Sequence, residues 1–173
     1  ESGRMKLASI ESIVRALNEA GVPFIVVGGL AVVAHGYGRQ TQDLDVVIRL
    51  EPGTIRGAFR ALASLGYQPR VPVTADGFAD PQQRARWVVE KGMTVLNFHS
   101  HQHCETPIDV FVTEPFDFHC EYTAAMVEEV APGVPVRIVR LETLLRLKQE
   151  AGRPQDLADI AELRLLHGAD RDG

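Results

Sequence analysis

Cysteine is scarce in this chain: Cys104 and Cys120 are the only two among 173 residues, and they lack the paired spacing of a zinc ribbon. No disulfide framework is expected, and a reducing cytoplasmic compartment follows as the default. Positive charge is also in short supply. Eighteen Lys and Arg stand against 23 Asp and Glu, a net charge of -5, which argues against a broad basic face for non-specific nucleic-acid binding while leaving room for a local groove. Missing too are an apolar run near the roughly 20 residues needed to span a bilayer and an apolar N-terminal signal segment. A soluble chain with no membrane partner is therefore expected. Repeats and low-complexity stretches are absent, and Glu1 to Arg4, ahead of Met5, read as an expression scar.

What is present suffices for one packed unit, since 45% of the residues are hydrophobic. The expected division is a core over 5–140 and a C-terminal helical segment over 141–173 packed upon it. Leu7, Ile10, Ile13, Val14 and Leu17 recur at helical spacing before Gly21 and Pro23. Phe24-Ile25-Val26-Val27 then reads as a buried strand that ends at Gly28-Gly29. A short helix over Leu30 to His35 is predicted next, followed by a strand from Asp43 to near Leu50 and a helix from Pro52 to Leu65. Between Tyr67 and Gln83 repeated prolines and Asp76-Gly77 point to a short strand and a loop, and Arg86 to Glu90 fits either a helical turn or a strand. Strands over Met93 to His99 and Ile108 to Thr113, joined by a hairpin loop, precede a predicted helix from Phe116 to Val130. A strand over Val134 to Val139 and helices over Leu141 to Ala151 and Pro154 to His167 complete the chain. The fold class is α/β (α+β): a mixed sheet flanked by helices, with a C-terminal helix pair.

Fourteen residues after Gly29 comes Asp43-Leu44-Asp45-Val46-Val47-Ile48. Alternate residues of a strand share a face, so Asp43 and Asp45 project together while Leu44 and Val46 enter the interior. Two adjacent carboxylates repel unless compensated, and a hard divalent cation shared with substrate phosphates is the usual remedy. The apolar run beside them argues against a merely polar sheet edge. Asp109, between Ile108 and Val110, is a third acid in a strand pattern; buried, it needs a metal or an arginine as partner. Gly28 and Gly29 at a strand-to-helix turn would let backbone amides approach a phosphate. Arg39 and Thr41 read either as phosphate or sugar contacts or as a solvated loop cation and a hydroxyl at the start of a strand.

The run from Gly28 to Gly36 through Arg39, Thr41 and Asp43-Leu44-Asp45 resembles the signature of the polymerase-β-like nucleotidyltransferase superfamily. More narrowly it is similar to the small bacterial members found as toxins in toxin-antitoxin pairs. Leu147-Lys148 and the segment Ala151 to Asp159 extend the resemblance to about a third of the chain. The resemblance implies two magnesium ions on Asp43, Asp45 and Asp109, and transfer of a nucleoside monophosphate from a triphosphate to an acceptor hydroxyl. That acceptor would be a tRNA end or a protein, or an antibiotic as in other members; an antitoxin is the implied partner. A non-catalytic nucleotide-binding module of the same fold is the alternative. One departure is Gly29, where many members carry serine, so backbone amides would do more of the phosphate binding.

Lys148 is implied as a nucleotide clamp supported by Arg153, Asp156 and Asp159, although Asp156 also fits first-turn capping. His99, His101 and His103 alternate beside Cys104; zinc is one reading and a polar hairpin tip the commoner one. His35 reads either as a neighbour of the nucleotide or as a helix-terminal histidine.

Overall fold

A computed structural model describes residues 5–169; the segment 1–4 read as an expression scar lies outside the described residues. Helix α1 (Leu7–Glu19) buries Ile10, Ile13, Val14 and Leu17, whereas Leu7 is exposed. Strand β1 (Phe24–Val27) is buried at all four positions, as its continuous apolar run requires of a strand covered on both faces. It passes directly into α2 (Gly28–Ala34), which is followed by β2 (Leu44–Ile48) and α3 (Pro52–Ala63).

The punctuated stretch after Tyr67 corrects the expected strand and loop. It contains a two-residue strand β3 (Gln68–Pro69) and two helices, α4 (Ala75–Ala79) and α5 (Pro81–Lys91). Thr74 Oγ1 accepts from Gly77 N at 3.0 Å and Asp80 Oδ1 from Gln82 N at 2.9 Å. Pro81 occupies the first position of α5, and Gly92 closes it in the left-handed region. These residues punctuate by starting and stopping helices, because a proline at the first helical position loses no internal hydrogen bond.

Strands β4 (Val95–His99) and β5 (Ile108–Phe111) lie within the predicted ranges. The helix expected from Phe116 to Val130 is instead α6 (Phe118–Ala124) followed by β6 (Met126–Ala131). Asp117 caps α6 by accepting from Cys120 N at 2.9 Å. Beyond it, Pro132 and Gly133, the latter with φ +76°, turn the chain so that β6 pairs antiparallel with β7 (Val134–Ile138). Val127, Glu128 and Glu129 are all exposed on β6, so no alternation of apolar and polar residues announced the strand. Helices α7 (Leu141–Ala151) and α8 (Pro154–Ala169) end the described chain, joined through Gly152 at φ +63°.

Among the described residues seven strands form one mixed sheet in the order β3-β4-β5-β2-β1-β7-β6. Strand β1 is antiparallel to β2 and parallel to β7, β2 is parallel to β5, and the other neighbours are antiparallel. Phe59 joins the sheet side to α4, its ring 5.8 Å from Phe78 and 5.2 Å from Phe98. Phe78 and Phe98 are fully buried, and burying a side chain of this size contributes roughly 1.5–3 kcal/mol. Among the described residues no helix is long and apolar enough to cross a membrane.

Candidate active site

Strand register aligns one row of residues across the middle of the sheet. Val27 at the end of β1 pairs with Asp45, Asp45 with Asp109 on β5, and Asp109 with Asn97 on β4. Laterally paired residues point to the same face of a sheet, so Asp45, Asp109 and Asn97 share one side. Asp43 lies just before β2, two residues from Asp45, and both are half-buried. The three sequence-predicted acids therefore form one electrostatic group.

Their mutual influence is strong. The Asp45 carboxyl is pushed up to about 7, first by burial and then by the charges of Asp109 and Asp43, against the opposing pull of Lys148 and Arg153. Burial and Asp109 likewise raise Asp43, while Arg70 draws it down. Asp43 and Asp45 thus lack enough neighbouring positive charge to compensate them.

The glycine turn abuts this group. Gly28 has φ +68°, and a Cβ there would lie 2.1 Å from Asp45 Oδ2, so only glycine lets the carboxylate pass. A Cβ on Gly29 would lie 2.3 Å from Thr41 Oγ1 and 3.3 Å from Arg39 Nη2. The Thr41 hydroxyl thus occupies the space into which a serine at position 29 would begin to grow. The glycine pair is required by Asp45 and Thr41 before any phosphate is considered.

Gly28, Asp45 and Asp109 line a cavity of about 540 Å3, whose wall is formed by Val95, Phe111, Leu144 and Leu147. Lys148 and Arg153 also border it. Lys148 is buried, and its Nζ lies 3.0 Å from Asp156 Oδ1 and 3.0 Å from Asp159 Oδ2. Asp159 also accepts two bonds from Arg39, Nε at 2.7 Å and Nη2 at 2.8 Å. Asp156 accepts from the backbone N of Arg153 at 3.2 Å and from its Nε at 2.7 Å. It thereby caps α8, as its first-turn position suggests, and pairs Lys148 at once. Burial alone would raise Asp156 and Asp159, but the hydrogen bonds from these cations prevail and hold both carboxyls below their ordinary value.

The remaining candidates lie elsewhere. His35 Nε2 is 2.7 Å from Val139 O, and His167 Nε2 is 2.7 Å from His35 O, which ties the end of α2 to β7 and α8. His103 Nδ1 is 2.8 Å from Ser9 Oγ and the ring stacks on Tyr67, while His99 and His101 meet edge to face. Among the described residues no three His, Cys, Asp or Glu side chains converge closely enough to enclose a metal by themselves, the histidine group included. The aspartate group nevertheless suits a cation that arrives with its own ligands. Magnesium is typically held by one or two carboxylates plus substrate phosphates rather than by an all-protein cage, and the uncompensated charge at Asp45 favours that arrangement.

Sequence reading missed Asn97 and Arg70. Asn97 Nδ2 donates to Asp109 Oδ1 at 2.6 Å, and Arg70 Nε donates to Asn97 Oδ1. Asn97 sits in the half-buried phase of β4, yet its partner is set by a pairing between strands that local sequence does not specify.

No protein-family model matches the chain, and no curated protein matches it. Solved structures do. The crystal structure of ANT(2")-Ia in complex with adenylyl-2"-tobramycin is similar with a TM-score of 0.57 at 14% identity, over 95% of this chain and 91% of that one. Lincosamide antibiotic adenylyltransferase LnuA, lincomycin-bound, is similar with a TM-score of 0.58 at 13% identity, over 94% and 98%. A Thermotoga maritima protein provisionally assigned as a nucleotidyltransferase gives a TM-score of 0.55 at 13% identity, over 90% of each chain. These likenesses, spanning nearly the whole of each chain, establish the α/β nucleotidyltransferase fold.

Proposed function

We propose that this protein is a metal-dependent nucleotidyltransferase that moves a nucleoside monophosphate from a triphosphate to an acceptor hydroxyl. The observation that supports this most is the alignment of Asp45 with Asp109, beside Asp43 and against the glycine turn, on this fold. In the reaction a bond forms between the acceptor oxygen and the α-phosphorus. The bond from that phosphorus to the bridging oxygen breaks, and pyrophosphate leaves. Magnesium, two ions in this reading, would be held by Asp43, Asp45 and Asp109 and would supply positive charge to the reacting phosphate oxygens. Asp109 would accept the acceptor proton, and the backbone amides of Gly28 and Gly29 would lie along the phosphates. Arg39 and Thr41 border that turn. Lys148, held between two aspartates, acts on the site through its field at Asp45.

The resemblance to toxin-type members supports a tRNA end or protein hydroxyl as acceptor and an antitoxin as partner. A small-molecule hydroxyl is the second reading. Two neighbours of this fold are antibiotic adenylyltransferases or carry an adenylylated antibiotic, and the net charge of -5 does not favour a polyanionic acceptor. The test supplies each α-labelled triphosphate with magnesium and, in turn, tRNA, extract protein and antibiotic hydroxyl compounds. Label should move to one acceptor class, and the Asp43→Ala, Asp45→Ala double variant should transfer none. Full transfer by that variant would refute the proposal; triphosphate binding without transfer to any pool would leave a nucleotide-binding module.

A further inference from the structure

The acids of the site are not held alike. Asp45 packs against bare backbone at Gly28, whereas one oxygen of Asp109 is gripped by a neighbouring side chain. Asn97 stands opposite Asp109 in the β4–β5 pairing, and its Nδ2 donates to Asp109 Oδ1 at 2.6 Å. The other end of the same amide accepts from Arg70 Nε, and the backbone N of Arg70 donates to Asn97 O at 2.9 Å. A guanidinium can only donate, so the amide oxygen must face Arg70 and the amide nitrogen must face the carboxylate. The orientation of Asn97 is therefore determined at both ends.

We infer that Asn97, oriented by Arg70, is a positioning residue that fixes the Asp109 carboxylate for cation and substrate binding. This inference rests on the nucleotidyltransferase reading. A carboxylate on a strand can rotate about χ1 and χ2, and beside Asp43 and Asp45 repulsion would turn it away. The amide bond opposes that rotation, commits Oδ1 and leaves Oδ2 as the free oxygen of Asp109. Arg70 thus holds Asp109 through the amide rather than by a direct ion pair. Groups one bond removed from ligating carboxylates commonly change metal affinity 10–100-fold when removed.

The test titrates the full chain with Mn2+ and follows free ion by electron paramagnetic resonance, with and without a non-hydrolysable triphosphate analogue. Asn97→Leu should weaken Mn2+ binding by roughly tenfold or more, and Arg70→Ala by a smaller factor in the same direction. In an Asp109→Asn background the Asn97→Leu effect should disappear, which a purely structural contribution to the sheet would not do. Wild-type-like Mn2+ affinity in folded Asn97→Leu, or an undiminished effect in the Asp109→Asn background, would overturn the inference. Should Asn97→Leu fail to fold, the exposed Arg70→Ala change reads the same relay, and unchanged affinity there overturns it. Absence of Mn2+ binding by the parent chain would overturn the nucleotidyltransferase reading along with it, whereas parental binding that the variants retain would defeat the positioning role alone.

Discussion

Asp45 illustrates a residue held at a cost to the fold. Its carboxyl, ordinarily at 3.8, is raised to about 7 by burial and by Asp109 and Asp43. Between those values the folded chain binds more protons than the unfolded one, so this group's contribution falls as pH rises and the penalty is complete above about pH 7. Asp45→Asn should therefore raise the Tm of the ligand-free protein at pH 8 by on the order of 5 °C. The gain should shrink as pH is lowered and vanish below the ordinary carboxylate range; scanning calorimetry across pH would check it. Gly28 has no such latitude. A methyl group there meets Asp45 Oδ2 at 2.1 Å on a backbone at φ +68°, so Gly28→Ala should cost about 1–3 kcal/mol in urea unfolding. The spacing of Asp43 and Asp45 made both acids legible in the sequence. Asn97 was not legible, because an isolated asparagine acquires its meaning only from the carboxylate opposite it.

Helix α8 shows how one element organises a site from its border. Through Asp156 and Asp159 it holds Lys148, Arg39 and Arg153, cations drawn from α7, from the loop before β2 and from its own N-cap. Removing one partner of a buried ion pair leaves charge stranded, so Asp159→Asn should lower stability by about 3 kcal/mol at pH 7. Asp159 lies below its ordinary value of 3.8, so its contribution is present above that pH and is lost as pH falls through the folded value. The difference between Asp159→Asn and the parent in urea unfolding should close accordingly below about pH 4. Element boundaries near this helix were legible from Gly152 and Pro154, a stop signal followed by a start signal. The stretch from Phe116 to Val130 was not. Met126 to Val130 satisfies helix preference as readily as strand preference, and only pairing with β7 across Pro132-Gly133 decides it.

For the whole molecule, the decisive feature is strand order. Asp45 and Asp109 are 64 residues apart, and they meet because β5 pairs in parallel with β2 in a register that sets one directly beside the other. Local periodicity identifies both strands and leaves open which strands become neighbours, so the site was legible as parts and not as an assembly. Parallel pairing at the sheet centre also sets half-buried Asp45 directly beside Asp109, which accounts for the rise at Asp45. Under the proposed chemistry, triphosphate binding and the acidic row are one phenomenon. Isothermal titration calorimetry of a nucleoside triphosphate into the full chain, with magnesium and then with EDTA, tests this most directly. Binding should require the divalent ion and should be lost in Asp45→Asn, whereas binding that survives both EDTA and that substitution would contradict the account.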